Sequence, residues 1–339
     1  MGNCGSDNIK STILMIKNNI RIGTIYVELN ETASVDEQII NLIKYFLINQ
    51  LDILCIQNIS KISIAKRIIY QLNKKIDNKI YVAPDIQDNK QNMLEQTNSF
   101  EITWSNSREY KENDMDCLLI SIYPIINFSK VYLETNINLS NSPKYMIICN
   151  INFNDILLSV YTIALQEDLD GINNCEIRKR QVNELHEILY SNKKYIIENI
   201  KNINNNFIHI ICGNLNIYEI ENDIINNEYI NVFRDMQFID THNFITKCNN
   251  KIIDLSTHIS GYRTTYINLH IDKFQQEKLD FDINDIIQHI FDVHGLLIKK
   301  SRVTRINGYQ NFLVETEFEL IRKIKLESEN RESFTTIEL

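Results

Sequence analysis

The stretch Phe207-Ile-His-Ile-Ile-Cys-Gly-Asn-Leu-Asn216 is one of four segments whose order along the chain decides the fold. A short apolar run that stops at a glycine and asparagines predicts a buried strand followed by a turn. Upstream, Leu51-Asp-Ile-Leu-Cys-Ile-Gln-Asn58 is a continuous apolar run of the kind that is buried on both faces of a sheet. Val160-Tyr-Thr-Ile-Ala-Leu165 is also strand-like, and Gly308-Tyr-Gln-Asn311 precedes a last apolar stretch.

Strands and helices are predicted to alternate along the chain. Apolar spacing on one face predicts helices from about residue 36 to 50, 63 to 77 and 176 to 190. Strands are predicted at 21–27, 51–56, 80–83, 116–125, 127–135, 144–153, 156–164, 207–212 and 311–320. Residues 84–115 read as polar and irregular, and residues 246–284 read as a long, partly polar insertion. This alternation predicts an α/β protein with one domain over residues 18–320, a flexible leader over 1–17 and a charged tail over 321–339.

Taken in chain order (51–58, 160–165, 207–216 and 308–311), the four quoted segments resemble the motifs of the endonuclease/exonuclease/phosphatase superfamily, the DNase I-like proteins. The corresponding family segments read approximately DxLxxQE, xxNTHL, xxGDFN and xSDH. The resemblance implies a four-layer α/β sandwich, in which two packed mixed β-sheets are flanked by helices. It also implies descent from Mg²⁺-dependent phosphodiesterases.

The residues at the family's catalytic positions have lost the required chemistry. Asn58 stands where the family has its metal-binding Glu, and a neutral amide cannot replace a carboxylate as a Mg²⁺ ligand. Asn214 replaces the Asp that orients or activates water, and it cannot accept a proton at neutral pH. Asn216 is retained, and it binds the phosphate in the family. Gln310 and Asn311 replace the terminal Asp-His pair.

The remaining family positions are changed as well. Thr162 and Ala164 stand in place of the Asn and His of the NTH segment, and Tyr26 stands in place of an Asn on the first strand. Simultaneous loss of metal ligand, base and imidazole predicts a catalytically inactive protein without a cofactor. The alternative is an active phosphoesterase for lipid, inositol or nucleic-acid phosphates. It would need Mg²⁺ at a relocated site, for which Asp280, Asp282 and Asp285 are candidates, although their alternation with apolar residues is more typical of an exposed strand or loop.

Charge and cysteine usage restrict the partners and the compartment. The net charge of −9 disfavours binding to nucleic acid, which needs a basic face. The short basic run Arg178-Lys179-Arg180 is interpreted as a solvated helix face. The seven cysteines are scattered without a CxxC pair, which predicts a reducing, intracellular compartment and no zinc site.

The first residues, Met1-Gly2-Asn3-Cys4-Gly5-Ser6, fit the N-myristoylation pattern with Gly2 as acceptor. Because one myristoyl chain gives only marginal membrane binding, a second anchor is needed, and Cys4 is a candidate for palmitoylation. The sequence therefore predicts a peripheral protein on the cytoplasmic face of a membrane, with a binding or scaffolding role and a protein partner. It leaves the ligand and the oligomeric state open.

Overall fold

The computed structural model describes residues 18–27, 35–59, 61–76, 79–84, 98–99, 116–134, 144–154, 156–168, 172–200, 207–217, 220–221, 224–225, 238–242, 245, 265–270, 296–309 and 311–320. The predicted leader and tail lie outside these ranges. The domain boundaries at residues 18 and 320 therefore stay predictions.

The described elements follow one another along the chain as alternating strands and helices. They are β1 (Asn19–Tyr26), α1 (Val35–Ile48), β2 (Ile53–Gln57), α2 (Ile62–Asn73), β3 (Tyr81–Ala83), β4 (Asn98–Ser99), β5 (Cys117–Ser121), β6 (Ile125–Tyr132), β7 (Tyr145–Phe153), β8 (Ile156–Ala164), α3 (Cys175–Asn199), β9 (Phe207–Asn214), β10 (Ile220–Glu221), β11 (Ile224–Ile225), β12 (Phe238–Asp240), β13 (Thr265–His270), β14 (Leu296–Arg305) and β15 (Phe312–Leu320). None of the described helices has the length and apolar character needed to span a membrane.

Two mixed sheets form the centre of the molecule. The described strands of one sheet have the order β14-β15-β1-β2-β5-β3, and those of the other have the order β12-β13-β9-β8-β7-β6-β4. β1 and β2 are parallel, as are β8 and β9, while most other neighbours are antiparallel. This arrangement confirms the predicted pair of mixed sheets.

Alternating side chains build three apolar layers. On β1, Ile20 and Ile22 face the second sheet, whereas Ile25 faces the outer layer. That outer layer is covered by α1 and α2, with Phe46 fully packed against the sheet. On the opposite side, α3 covers the second sheet with residues such as Leu185. The order of layers is therefore helices, sheet, sheet and helix. Burial of each large apolar side chain in them stabilises the fold by about 1.5–3 kcal/mol.

The structure corrects several sequence-based boundaries. α3 continues to Asn199, well past the predicted end at residue 190. The region 246–284, predicted to be a long, partly polar insertion, contains β13, a strand of the second sheet that pairs with β9 and β12. β14 was not predicted, and it pairs along its length with β15. Both strands form because neighbouring strands pair with them, and their own composition does not reveal this pairing.

Candidate functional site

The family positions converge at one edge of the sandwich. Because β1 and β2 are parallel, Tyr26 and Asn58 lie together where the first sheet ends. On the second sheet, Ala164 is the register partner of Asn214. The hydroxyl of Tyr26 donates to Glu167 Oε2 at 3.3 Å, which joins the two sheets at this end. We call this end of the sandwich, where β1, β2, β8 and β9 finish, the motif edge.

Asn58 is a turn residue at the motif edge. Its backbone has φ +63°, a left-handed conformation that asparagine adopts more readily than most residues. Its Nδ2 donates to the carbonyl of Val27 at 2.9 Å, so the amide ties the end of β2 to the end of β1. The position that holds the metal-binding carboxylate in the family here holds a side chain that supports the backbone.

Asn214 and Asn216 satisfy each other. Asn214 Nδ2 donates to Asn216 Oδ1 at 2.9 Å, and the backbone N–H of Asn216 donates to Asn214 Oδ1 at 3.0 Å. Asn216 Nδ2 donates to the carbonyl of Leu165 at 2.6 Å, and Asn216 also has a left-handed backbone with φ +51°. All four heteroatoms of the two amides therefore have partners within the chain.

Gly213 explains why this turn can form. Its φ is +156°, and an added Cβ would lie 1.8 Å from the carbonyl oxygen of Ile163. Only a residue without a side chain allows the end of β9 to approach β8 so closely. The glycine of the motif therefore has a steric reason that is independent of catalysis.

The end of β8 carries buried polar groups of a different kind. Thr162 and Ala164 continue the inward-facing positions of Leu158 and Val160, and Gln166 follows them. The Thr162 hydroxyl and both heteroatoms of the Gln166 amide are buried without a hydrogen-bond partner. Buried polar groups normally have partners, so this part of the edge offers one hydroxyl and one amide to a water or a small polar ligand.

An ion pair joins the two sheets beside these residues. Lys144 Nζ lies 3.7 Å from Asp116 Oδ1, and both side chains are almost fully buried, at 4% and 2% exposure. The Tyr145 hydroxyl accepts from the backbone N–H of Asp116 at 2.7 Å and donates to the Cys117 carbonyl at 3.3 Å. Asp116 Oδ2 has no hydrogen-bond partner.

Burial and neighbouring charges act in opposite directions on this pair. Burial raises the pKa of Asp116, and the nearby ammonium of Lys144 only partly offsets this effect. Burial acts to lower the pKa of Lys144, but the carboxylates of Asp116 and Glu167 outweigh it and hold that pKa above its usual value. The raised pKa keeps Lys144 protonated at neutral pH.

Arg178 corrects the interpretation of the basic run. It is 2% exposed and donates to Asp168 Oδ1 at 2.6 Å and to the Gln166 carbonyl at 3.2 Å, whereas Lys179 and Arg180 are exposed. Arg178 does not belong to a solvated face, because it anchors the segment that follows β8. Its charge is balanced by Asp168.

The residues of the motif edge do not fit Mg²⁺. This ion needs several oxygen ligands, usually with one or two carboxylates. The amides of Asn58, Asn214 and Asn216 are bonded within the protein, and Asp116 faces Lys144. In the part of the chain that the structure describes, no group of three or more His, Cys, Asp or Glu could hold a metal ion. Asp280, Asp282 and Asp285 lie outside the described residues, so the relocated site remains a hypothesis.

The last motif lies at the same end but faces outward in part. Tyr309 is buried against α1, and its hydroxyl donates to the Gln38 carbonyl at 2.9 Å. Asn311 is half-buried immediately before β15, and Gln310 lies outside the described residues. Burial raises the pKa of Tyr309 well above its usual range. This tyrosine is therefore a neutral packing residue.

Sequence analysis missed the charged residues of the edge. Asp116, Lys144, Glu167 and Asp168 were not candidates, because none falls on a family motif. A signal was present: Asp116 and Lys144 directly precede apolar strands, and charges at strand ends need partners. The sequence could not show that the two strands lie in opposite sheets with these ends together.

No protein-family model matches the sequence, and no curated protein matches it either. Solved structures match its fold. An endonuclease/exonuclease/phosphatase family protein from Leptotrichia buccalis C-1013-b is 17% identical, with a TM-score of 0.52 over 88% of this chain and 99% of the other. A beta toxin variant from Staphylococcus aureus with bound magnesium ions is 13% identical, with a TM-score of 0.53 over 88% and 99%. The human Nocturnin catalytic domain is 13% identical, with a TM-score of 0.53 over 89% and 94%.

These likenesses show the fold. The chain has the DNase I-like α/β sandwich of endonuclease/exonuclease/phosphatase proteins, as the order of its motifs predicts. At this level of identity they carry no conclusion about its activity.

Proposed function

We propose that this chain is a non-catalytic binding or scaffolding protein, built on a phosphodiesterase fold and tethered to a membrane by N-terminal acylation. One observation carries the proposal. Neutral side chains stand at the family's catalytic positions, and the amides of Asn58, Asn214 and Asn216 are bonded to the backbone or to each other.

The chemistry of the edge supports a protein without hydrolytic activity. A phosphodiesterase of this class needs a metal ion to polarise the phosphate and a base to activate water. Amides supply neither, and the carboxylates that remain have other contacts. Asp116 faces Lys144, Asp168 binds Arg178, and Glu167 accepts from Tyr26. The residual groups are suited to hydrogen bonding.

The net charge of −9 favours a protein partner over a polyanion. Such a partner is expected to recognise the motif edge and the loops around it. The pattern from Gly2 to Ser6, with Cys4 beside it, favours attachment to the cytoplasmic face of a membrane. Tethering would concentrate the partner at that surface.

The first experiment combines metal binding and hydrolysis. Mg²⁺ and Mn²⁺ are titrated into purified, unacylated protein by calorimetry, and a chromogenic phosphodiester, bis(4-nitrophenyl) phosphate, is offered under the same conditions. We expect no saturable binding at millimolar metal, no rise of Tm and no hydrolysis above that of Asn214→Ala. A stoichiometric metal site with metal-dependent turnover, lost in Asp280→Asn, Asp282→Asn or Asp285→Asn, would replace this proposal by the active-phosphoesterase alternative.

Acylation is tested separately. The full chain is co-expressed with an N-myristoyltransferase and analysed by intact mass. We expect one myristoyl group on wild type and none on Gly2→Ala, with binding to anionic vesicles that follows the modification. A wild-type chain that stays unmodified would remove the membrane tether from the proposal and leave the binding role standing.

A further inference from the structure

We propose that Lys144 is a built-in cation of the motif edge, which balances the carboxylates of Asp116 and Glu167 and so replaces a divalent ion. Lys144 Nζ lies 3.7 Å from Asp116 Oδ1, and Tyr26 holds Glu167 at the same edge. The inference rests on the proposed function, because it explains how this edge can be stable and recognise ligands without metal.

The backbone fixes both members of the pair. Asp116 directly precedes β5 in the first sheet, and its carbonyl accepts from the N–H of Ile59 at 3.0 Å. Lys144 directly precedes β7 in the second sheet, and its carbonyl accepts from the N–H of Leu133 at 3.0 Å. Packing of the two sheets therefore places the ammonium opposite the carboxylate.

Burial makes the counter-charge necessary. Taking a carboxylate out of water is unfavourable unless an opposite charge or several hydrogen bonds compensate it. Asp116 is 2% exposed, and its Oδ2 has no hydrogen-bond partner. The compensation for this oxygen is therefore mainly electrostatic. The nearby Glu167 adds a second negative charge, which acts on both members of the pair.

Lys130 cannot take over this role. Its ammonium lies over the rings of Tyr132 and Tyr145, 5.0 and 4.0 Å from their centroids, and the side chain is only half-buried. It acts on Asp116 more weakly than Lys144 does. Lys130 is therefore a matched control, since it is a lysine of the same region whose removal leaves the buried pair intact.

Removing either partner should expose a site for the missing charge. In Lys144→Met the ammonium is lost from a side chain of similar shape, and Asp116 keeps only the weaker influence of Lys130. A hard divalent cation is the ion that such oxygens bind. In Asp116→Asn the carboxylate is neutralised, and the buried ammonium becomes available to a small anion.

The experiment measures Tm at pH 8 with added MgCl₂, MnCl₂ or sodium sulfate, together with calorimetry for each ion. We expect wild type, Lys144→Arg and Lys130→Met to show no specific response. Lys144→Met should be less stable than wild type and should regain stability with Mg²⁺ or Mn²⁺, with at least about tenfold tighter binding than wild type. Asp116→Asn should instead respond to sulfate.

The double variant Asp116→Asn/Lys144→Met completes the cycle. It contains neither charge, so we expect it to fold and to lose both ion responses. If Lys144→Met does not fold, the test is the comparison of the other two variants in sulfate. Asp116→Asn should respond to sulfate, and the double variant should not. Single variants that respond to neither ion, while wild type remains indifferent to metal, would overturn the built-in cation and leave the proposed function intact. Divalent binding to wild type at this edge would contradict both.

Discussion

The turn after β9 is governed by two residues whose backbone conformations few others adopt. A Cβ added at Gly213 would lie 1.8 Å from the carbonyl oxygen of Ile163, so only glycine fits there. Asn216 has a left-handed backbone and donates to the Leu165 carbonyl. In the family that the sequence resembles this motif is catalytic, and here it contains residues that shape the backbone. The fold requires Gly213 for steric reasons, whether or not the motif is catalytic.

This predicts a large effect of Gly213→Ala. The methyl group would collide with backbone, which can move only if β8 and β9 separate, so we expect unfolding free energy to fall by about 3 kcal/mol or more. Gly23→Ala is the control. There the new Cβ lies 2.7 Å from a flexible methyl group of Leu51, and the cost should be about 1–2 kcal/mol. Urea unfolding followed by circular dichroism measures both, and equal losses would contradict the steric argument.

Beneath α3, a buried polar network connects the helix to the second sheet. The Tyr161 hydroxyl accepts from Asn192 Nδ2 at 2.7 Å and lies 3.0 Å from His209 Nδ1. Further hydrogen bonds continue the network to β6 and β7 through Ser159, Asn150 and Asn127. Such a network favours one position of the helix, because a shift would leave several buried groups without partners.

At this element we predict that Tyr161→Phe lowers the free energy of unfolding by about 2–3 kcal/mol, since it leaves Asn192 and His209 with an unmet hydrogen bond. The matched control is Tyr190→Phe on α3, where the side chain is 72% exposed and the change should stay within about 0.5 kcal/mol. Both variants are compared by urea unfolding at one pH. Similar values for the two would mean that the network does not stabilise the helix contact.

Elements with strong apolar periodicity were predictable, and those defined by partners were not. The nearly continuous apolar run of β8 and the apolar face of α1 identify these elements from the sequence alone. β13 was not predicted, because it lies in a region that reads as a partly polar insertion and its pairing with β9 is not visible in the sequence. Arg178 was predicted to be solvent-exposed, since nothing in a basic run indicates that Asp168 will meet it. The amide positions at the motif edge could be identified from the family resemblance. The Lys144–Asp116 pair could be identified only from the three-dimensional structure.

At the scale of the whole molecule, four thiols of the described residues lie between the two sheets. Cys55 and Cys117 extend from the first sheet, and Cys149 and Cys212 from the second, all with 0% exposure. Burial raises the pKa of Cys117, Cys149 and Cys212 well above the usual value. A thiol reacts as its thiolate, so these groups should be inert while the sheets remain packed.

We predict that iodoacetamide at neutral pH leaves these four thiols unmodified in the native protein, whereas the half-buried Cys175 at the start of α3 is alkylated. Exposing any one of the four requires the sheets to separate, so their labelling rates should rise together with urea and follow global unfolding. Peptide mapping by mass spectrometry after timed labelling measures each site. If one core thiol reacted at a rate close to that of Cys175, the sandwich would open locally, and the two sheets would not form a single cooperative unit.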